Sequence, residues 1–271
     1  MFLLWLRVAA GLYAVASIAA LLTVLYGKPQ WQRLSLPAAV AGFFFHLVAL
    51  VEMLATARHW LPMGMHEVAA TLALLLVAAY LLVLWVYRAT AIGILVLPMA
   101  LLLLLEPAIG PDRATFVTPY VRSGWLFLHV GALLAAYAAL IFSLLASFLY
   151  LLQERQLKNK TGVGFLNWLP PLETMDRIAY GSLLIGFPCM TVGLLAGSLI
   201  AQQSVGAVYF LDPKVLLSFG MWLLYVGMLL VRRSVGLRGR RAVYLSSFIF
   251  LVMLSVWAAN QLSSVHRFPI P

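Results

Sequence analysis

Eight runs of apolar residues, each about as long as a bilayer is thick, divide this chain and leave little between them. They fall at roughly 3–26, 35–57, 66–87, 90–106, 123–153, 177–201, 213–231 and 242–263. A transmembrane helix needs about 20 predominantly apolar residues. Across 271 residues, 64% are hydrophobic and 10% charged, a balance that no soluble domain sustains. The sequence therefore predicts an all-α polytopic membrane protein with about eight transmembrane helices. A single integral membrane domain over 1–271 is expected, with no room for a soluble one. The first run is long, has no basic start and no clear small-residue cleavage site, so it is expected to be a retained helix and not a signal peptide.

The formal net charge of +10 is unevenly spread. Alternate loops hold Lys28, Arg33, Arg88, Arg155, Lys158, Lys160, Arg177, Arg232, Arg233, Arg238, Arg240 and Arg241, which is 12 of the 18 basic residues. The opposite side holds Arg7, Arg58, Arg113, Arg122, Lys214 and Arg267. The positive-inside rule then puts the first set in the cytoplasm and both termini on the outer, or periplasmic, side of the cell's inner (plasma) membrane. The basic loops are expected to meet anionic lipid heads of the bilayer, and no nucleic-acid partner is expected. The single cysteine, Cys189, excludes a disulfide within the chain, and no Cys-x-x-Cys-His occurs, so the chain is not itself a c-type cytochrome.

Gly27-Lys28-Pro29 reads as a turn and Pro62 as a break between helices. The fifth run passes into Gln153-Glu154-Arg155-Gln156, so that helix is expected to project into the cytoplasm. The stretch 156–176 is the largest inner loop, and its Asn167-Trp168-Leu169-Pro170-Pro171 suits an interfacial anchor. In the sixth run, Gly193-x-x-x-Gly197 allows close helix approach and Pro188 favours a kink. An outer loop, 202–212, ends at Asp212-Pro213, with Asp212 as cap and Pro213 in the first turn of the seventh helix.

Four of the five histidines, His59, His66, His129 and His266, fall at the same ends of these helices. Imidazole is costly in lipid without a partner or a task, and neutral imidazole is a common iron ligand. His129 lies about six residues inside its helix, roughly 9 Å from the end at 1.5 Å per residue, and His266 lies just past the last helix on the same side. Two such imidazoles at similar depth suit an iron porphyrin in an apolar cleft. On position alone, an interfacial imidazole bonded to a neighbour or to water is the stronger reading, because helix ends tolerate polar residues. His46 sits mid-helix, where an unpaired imidazole is unfavourable; a buried haem or a polar group on a neighbouring helix would satisfy it. Glu52 and His59 are seven apart and share a face. Glu67 in a first helical turn is explained by the helix dipole. No paired carboxylates, phosphate-cradling loop or nucleophilic triad is evident, so no turnover enzyme is expected.

Leu169-Pro170-Pro171-Leu172-Glu173, Asp176-Arg177, Tyr180, Ile185-Gly186-Phe187-Pro188, Thr191, Gly193 and Gly197 are followed by Asp212-Pro213-Lys214 and Gly236-Leu237-Arg238-Gly239-Arg240-Arg241-Ala242. In order and spacing these residues resemble the cytochrome c assembly family, which includes the CcsA- and CcmC-type haem handlers. Within it the chain looks most like the HemX/YpjD-type branch of eight-helix inner-membrane proteins. The resemblance is strongest over about 125–267, with a looser match around His46. The family's haem handlers carry an outer loop reading Trp-Gly-x-x-Trp-x-Trp-Asp between two outer histidines. Here Val205, Tyr209 and Leu211 stand at the tryptophan positions, while Gly206 and Asp212 match. The flanking histidines match as His129 and His266, which the resemblance implies as ligands of haem iron. His46 matches a histidine that holds haem within the membrane in the CcsA type, but its partner position falls at about Leu230. Three lost indoles leave a weaker docking platform.

The resemblance thus implies a haem-binding or haem-handling inner-membrane protein of cytochrome c biogenesis. Haem is the implied cofactor, held by His129, His266, His46, Asp212 and Tyr209. Other cytochrome c assembly proteins or an apocytochrome c are the implied partners. An alternative is a scaffold that does not transport haem and instead regulates haem synthesis or a partner membrane protein. A third, weaker alternative is a transporter of another small molecule, with His46 and Glu52 in its path.

Overall fold

The computed structural model describes residues 1–58, 60–62, 64–110, 124–159, 169–234, 236 and 239–259, with backbone alone at 29, 204–205, 207–209 and 257. Among them are eight α-helices and no strand. They are α1 (Phe2–Tyr26), α2 (Pro29–Thr56), α3 (Met65–Tyr87), α4 (Gly93–Ile109), α5 (Gly124–Asn159), α6 (Leu172–Val205), α7 (Pro213–Ser234) and α8 (Arg240–Ala258). Short 3₁₀ turns precede α4 (Thr90–Ile92) and follow α6 (Gly206–Leu211). Seven helices, α1 to α7, are long and apolar enough to cross a membrane. The eighth apolar run forms α8, described over 19 residues and opening on Arg240 and Arg241. The chain is an all-α polytopic membrane protein.

Several helices extend further than their apolar runs. Gly27 in the left-handed region (φ 65°) ends α1, Lys28 is extended, and Pro29 starts α2 six residues before the run. Proline suits a first turn because its missing N–H would be unpaired there anyway. The 36 residues of α5 span about 54 Å, well beyond a hydrocarbon core of about 30 Å. Its last turns are held in the polar layer by Lys158, which donates to Glu154 at 2.6 Å. Helix α6 begins at Leu172 and runs through Pro188 to Val205, so the outer loop expected at 202–212 is mostly ordered as helix end and 3₁₀ turn. Of the interfacial segment expected at 167–171, Asn167 and Trp168 lie outside the described residues, while Leu169 is buried and Pro171 stands immediately before α6.

Two clusters of buried side chains organise the bundle. Leu6, Tyr13, Ala49, Met53, Ala70, Ala73, Val77, Ala100 and Leu104 knit α1 to α4 together. The other faces of α3 and α4, through Leu76, Tyr80 and Leu97, together with Ile92 of the 3₁₀ turn between them, join a second cluster with Phe142, Leu149, Met175, Leu183, Met190, Tyr225 and Met253 of α5 to α8. Buried hydroxyls find acceptors throughout, as lipid requires. Ser17 and Thr23 donate to carbonyls one turn back, at 2.6 and 2.8 Å, and Ser35 donates across to the Ala16 carbonyl at 2.9 Å.

Helices α5 and α6 form the most intimate pair, and its antiparallel register is set by small residues on α6. Ala179, Gly186 and Gly193 recur every seven residues, so they share one face. Ser143 donates to the Ala179 carbonyl at 2.8 Å. A Cβ built on Gly186 would meet the Ala139 Cβ at 3.0 Å, and one on Gly193 would meet Leu133 Cδ2 at 2.7 Å. Only glycine lets the backbones come this close, the means by which helices associate without a hydrophobic drive between them.

At the opposite end of α6 from Gly193, Arg232 of α7 turns inward. Its guanidinium donates to Asp176 Oδ1 at 2.5 Å and to the Asp176 carbonyl at 3.1 Å, and lies 4.6 Å over the Tyr180 ring. The Arg232 side chain is only 4% exposed. Removing one partner leaves a buried charge unpaired, which costs about 3–5 kcal/mol. Asp176→Ala is expected to destabilise the protein by that amount in a denaturation titration in detergent. The Asp176→Ala, Arg232→Met double variant is expected to recover most of the loss.

Candidate functional site

The ring of His129, five residues inside α5, rests on the C-terminal half of α6. Its Nδ1–H donates to the Gly193 carbonyl at 2.7 Å. A carbonyl only accepts, so the proton of the neutral ring sits on Nδ1 and Nε2 carries the lone pair. Among the described residues Nε2 makes no hydrogen bond. A Cβ on Gly197 would overlap the imidazole itself. The glycine pair read from the sequence as a close-approach motif therefore has a tenant: Leu133 lies over Gly193 and His129 over Gly197.

The ordered turn that follows α6 brings further groups near this end. Asp212 is buried and caps α7, its Oδ1 accepting from the Lys214 N–H at 2.9 Å and its carbonyl from the Leu216 N–H at 3.0 Å. The expected cap and the Pro213 start are thus both present. The Lys214 ammonium lies near enough to act electrostatically on the His129 ring. Phe210 is half exposed and packs at 6.2 Å on Phe219 of α7. Tyr209 falls within the 3₁₀ turn, and its side chain lies outside the described residues, as do His59 and His266.

A donor hydrogen-bonded through one ring nitrogen and free at the other is the usual form of a metal-ligating imidazole, the second bond fixing both tautomer and ring orientation. Among the described residues no three His, Cys, Asp or Glu side chains gather to cage a metal ion. A porphyrin iron asks for less, one or two axial ligands. The residues at the His129 end fit that requirement: an Nε2 with no hydrogen bond among the described residues, a cation in Lys214 and an exposed aromatic in Phe210.

His46 is in a different part of the fold. It is fully buried among α1 to α4, with Nδ1 3.3 Å from the Tyr13 hydroxyl and the two rings edge-on at 5.8 Å. Among the described residues its buried Nε2 makes no hydrogen bond. Leu230 is 61% exposed on α7, which packs against α6 and α8, so the fold does not bring this position to His46. His66 lies 3.5 Å from Glu106 of α4, and Glu67 accepts from the Gly64 N–H at 3.1 Å, which gives both a structural part at the start of α3.

The comparisons with known proteins bear on the same residues. Residues 5–263 match the family described as cytochrome C assembly protein. The chain belongs to that family. One relative, named cytochrome c biogenesis protein CcsA, from Prochlorococcus marinus (strain MIT 9312), is 35% identical over 157 residues, 51% of each chain. A protein of the same name from Heterosigma akashiwo (strain NIES-293 / 8280G21-1) is 28% identical over 225 residues, 70% of each. The chain spans about half the length of the first of these. No solved structure matches.

Within this member of the family, several residues of the sequence motif have structural tasks. Asp176 and Tyr180 hold Arg232, Thr191 accepts from the Trp222 indole at 2.9 Å, and Gly186 makes way for the Tyr225 hydroxyl. Sequence reasoning passed over Gly197 as a seat and Tyr13 as a partner. A small residue in an i, i+4 pair signals close approach, but not which side chain fills the gap. A tyrosine 33 residues before His46 is not distinguishable from its apolar neighbours. Tyr13→Phe is expected to cost about 1–3 kcal/mol by leaving a buried imidazole nitrogen unpaired. In urea unfolding in micelles, adding His46→Leu should give back part of that loss, since an apolar ring partner needs no hydroxyl.

Proposed function

We propose that this protein binds haem at its His129 end and handles it during cytochrome c biogenesis. The relatives named cytochrome c biogenesis protein and the family membership support the process. One observation carries the haem ligand: His129 gives its Nδ1 proton to the Gly193 carbonyl, and among the described residues its Nε2 makes no hydrogen bond. The aligned histidine at the other end of the motif, His266, is the second ligand of the proposal. Lys214 would offset the charge of a propionate and Phe210 would offer a face to the ring, in place of indoles at Val205, Tyr209 and Leu211. Asp212 would hold the docking turn through its cap.

Bound haem supplies an iron with axial positions for imidazole. The chain's own task is to bind, orient and pass on; it makes and breaks no substrate bond and is no turnover enzyme. We place it in the inner (plasma) membrane, with the His129 end and both termini facing the periplasm, where an apocytochrome c or other assembly proteins would take part. A scaffold or regulator of haem synthesis is the second reading. Exposed Leu230 and the replaced indoles favour it, because they remove the inner ligand partner and much of the platform.

Visible spectroscopy separates the two. The protein purified in detergent and supplied with haem is expected to give a Soret band that is lost in the His129→Ala, His266→Ala variant. A protein that stays colourless after haem addition contradicts haem binding and favours the scaffold.

A further inference from the structure

We infer that the Gly193–Gly197 segment of α6 is a positioning element that sets the tautomer and aim of His129, with Gly197 as the seat of the imidazole. The inference rests on the haem reading for its purpose, but the seat itself stands on geometry.

In a helix the Gly193 carbonyl already accepts the N–H of residue 197. Its second lone pair takes the His129 Nδ1–H at 2.7 Å. To reach that oxygen from α5 the ring must lie against the α6 backbone, in the volume a Cβ at 197 would fill. The two demands are linked: the acceptor at 193 is reachable because 197 has no side chain. The atoms a new Cβ would meet belong to a rigid ring held by its own hydrogen bond, not to the end of a flexible chain. At Gly193 the same test meets Leu133 Cδ2 and Cγ at 2.7 and 2.8 Å and the Leu133 backbone nitrogen at 3.2 Å, so bulk there presses on α5 and not on the ring. A methyl at 197 therefore turns the imidazole out of its seat, whereas a methyl at Gly181 of the same helix meets nothing within 4 Å.

The consequence is chemical. Protonation at Nδ1 is the tautomer that free histidine in water disfavours, and it leaves Nε2 as donor to a metal. Donation from Nδ1 to a carbonyl also raises the basicity of Nε2. Loss of such an outer partner lowers metal affinity by about 10–100-fold.

The test uses the whole protein with ¹⁵N-labelled histidine in bilayers, read by solid-state NMR. The His129 signal is assigned by its disappearance in His129→Gln. In the apo wild type, His129 is expected to be protonated at Nδ1. Gly197→Ala is expected to shift it to the Nε2-protonated form and to weaken haem titration by about 10–100-fold. Gly181→Ala serves as control, since a Cβ there, also on α6, meets nothing within 4 Å; it should keep the wild-type tautomer. A wild-type ring protonated at Nε2 overturns the inference without any variant, whether or not Gly197→Ala folds. So does a Gly197→Ala protein that keeps Nδ1–H, or a Gly181→Ala protein that loses it equally. A wild type with Nδ1–H that takes up no haem leaves the seat standing and sinks the haem reading.

Discussion

The close antiparallel contact of α5 and α6 is the constraint from which the rest follows. Lipid offers apolar side chains no reward for leaving it, so helices in a bilayer are held by van der Waals fit and by polar groups that find one another. Here the fit depends on Ala179, Gly186 and Gly193, one per two turns, and on Ser143 bridging to the α6 backbone. The same narrow gap that brings the backbones together brings a histidine within reach of a main-chain carbonyl. Packing and candidate chemistry are thus one feature, and a change that loosened the first would misplace the second.

The two ends of α6 are secured differently. At one end the buried Arg232 guanidinium answers Asp176, its carbonyl and the Tyr180 face together. A charge in that position is stabilising only because all three are present. At the other end a neutral ring is held by one hydrogen bond. That contrast suits a rigid anchor on the side rich in arginine and an adaptable surface on the side where Asp212, Lys214 and Phe210 gather.

The helices were legible because lipid imposes a length and a composition on each, and all eight apolar runs became helices. Their ends were not, since polar first turns such as Gln30 to Arg33 read as loop while still satisfying a helix in the interfacial layer. His129 was legible as an imidazole near a membrane surface. Its seat was not, because the pairing of position 129 with 193 and 197 depends on the register across the α5–α6 connection. Arg232 counted as a loop charge, although its partner lies 56 residues earlier in the chain. His46 was legible as a residue that needs a partner, and the partner, Tyr13, emerged only when α1 packed on α2.

The account stands or falls on whether the bare Nε2 of His129 faces iron. Electron paramagnetic resonance of the ferric, haem-loaded protein at low temperature addresses that directly. A low-spin signal of an iron with two imidazole ligands is expected, turning high-spin when His129 alone is replaced by alanine. A signal that does not change in the His129→Ala protein would contradict the account.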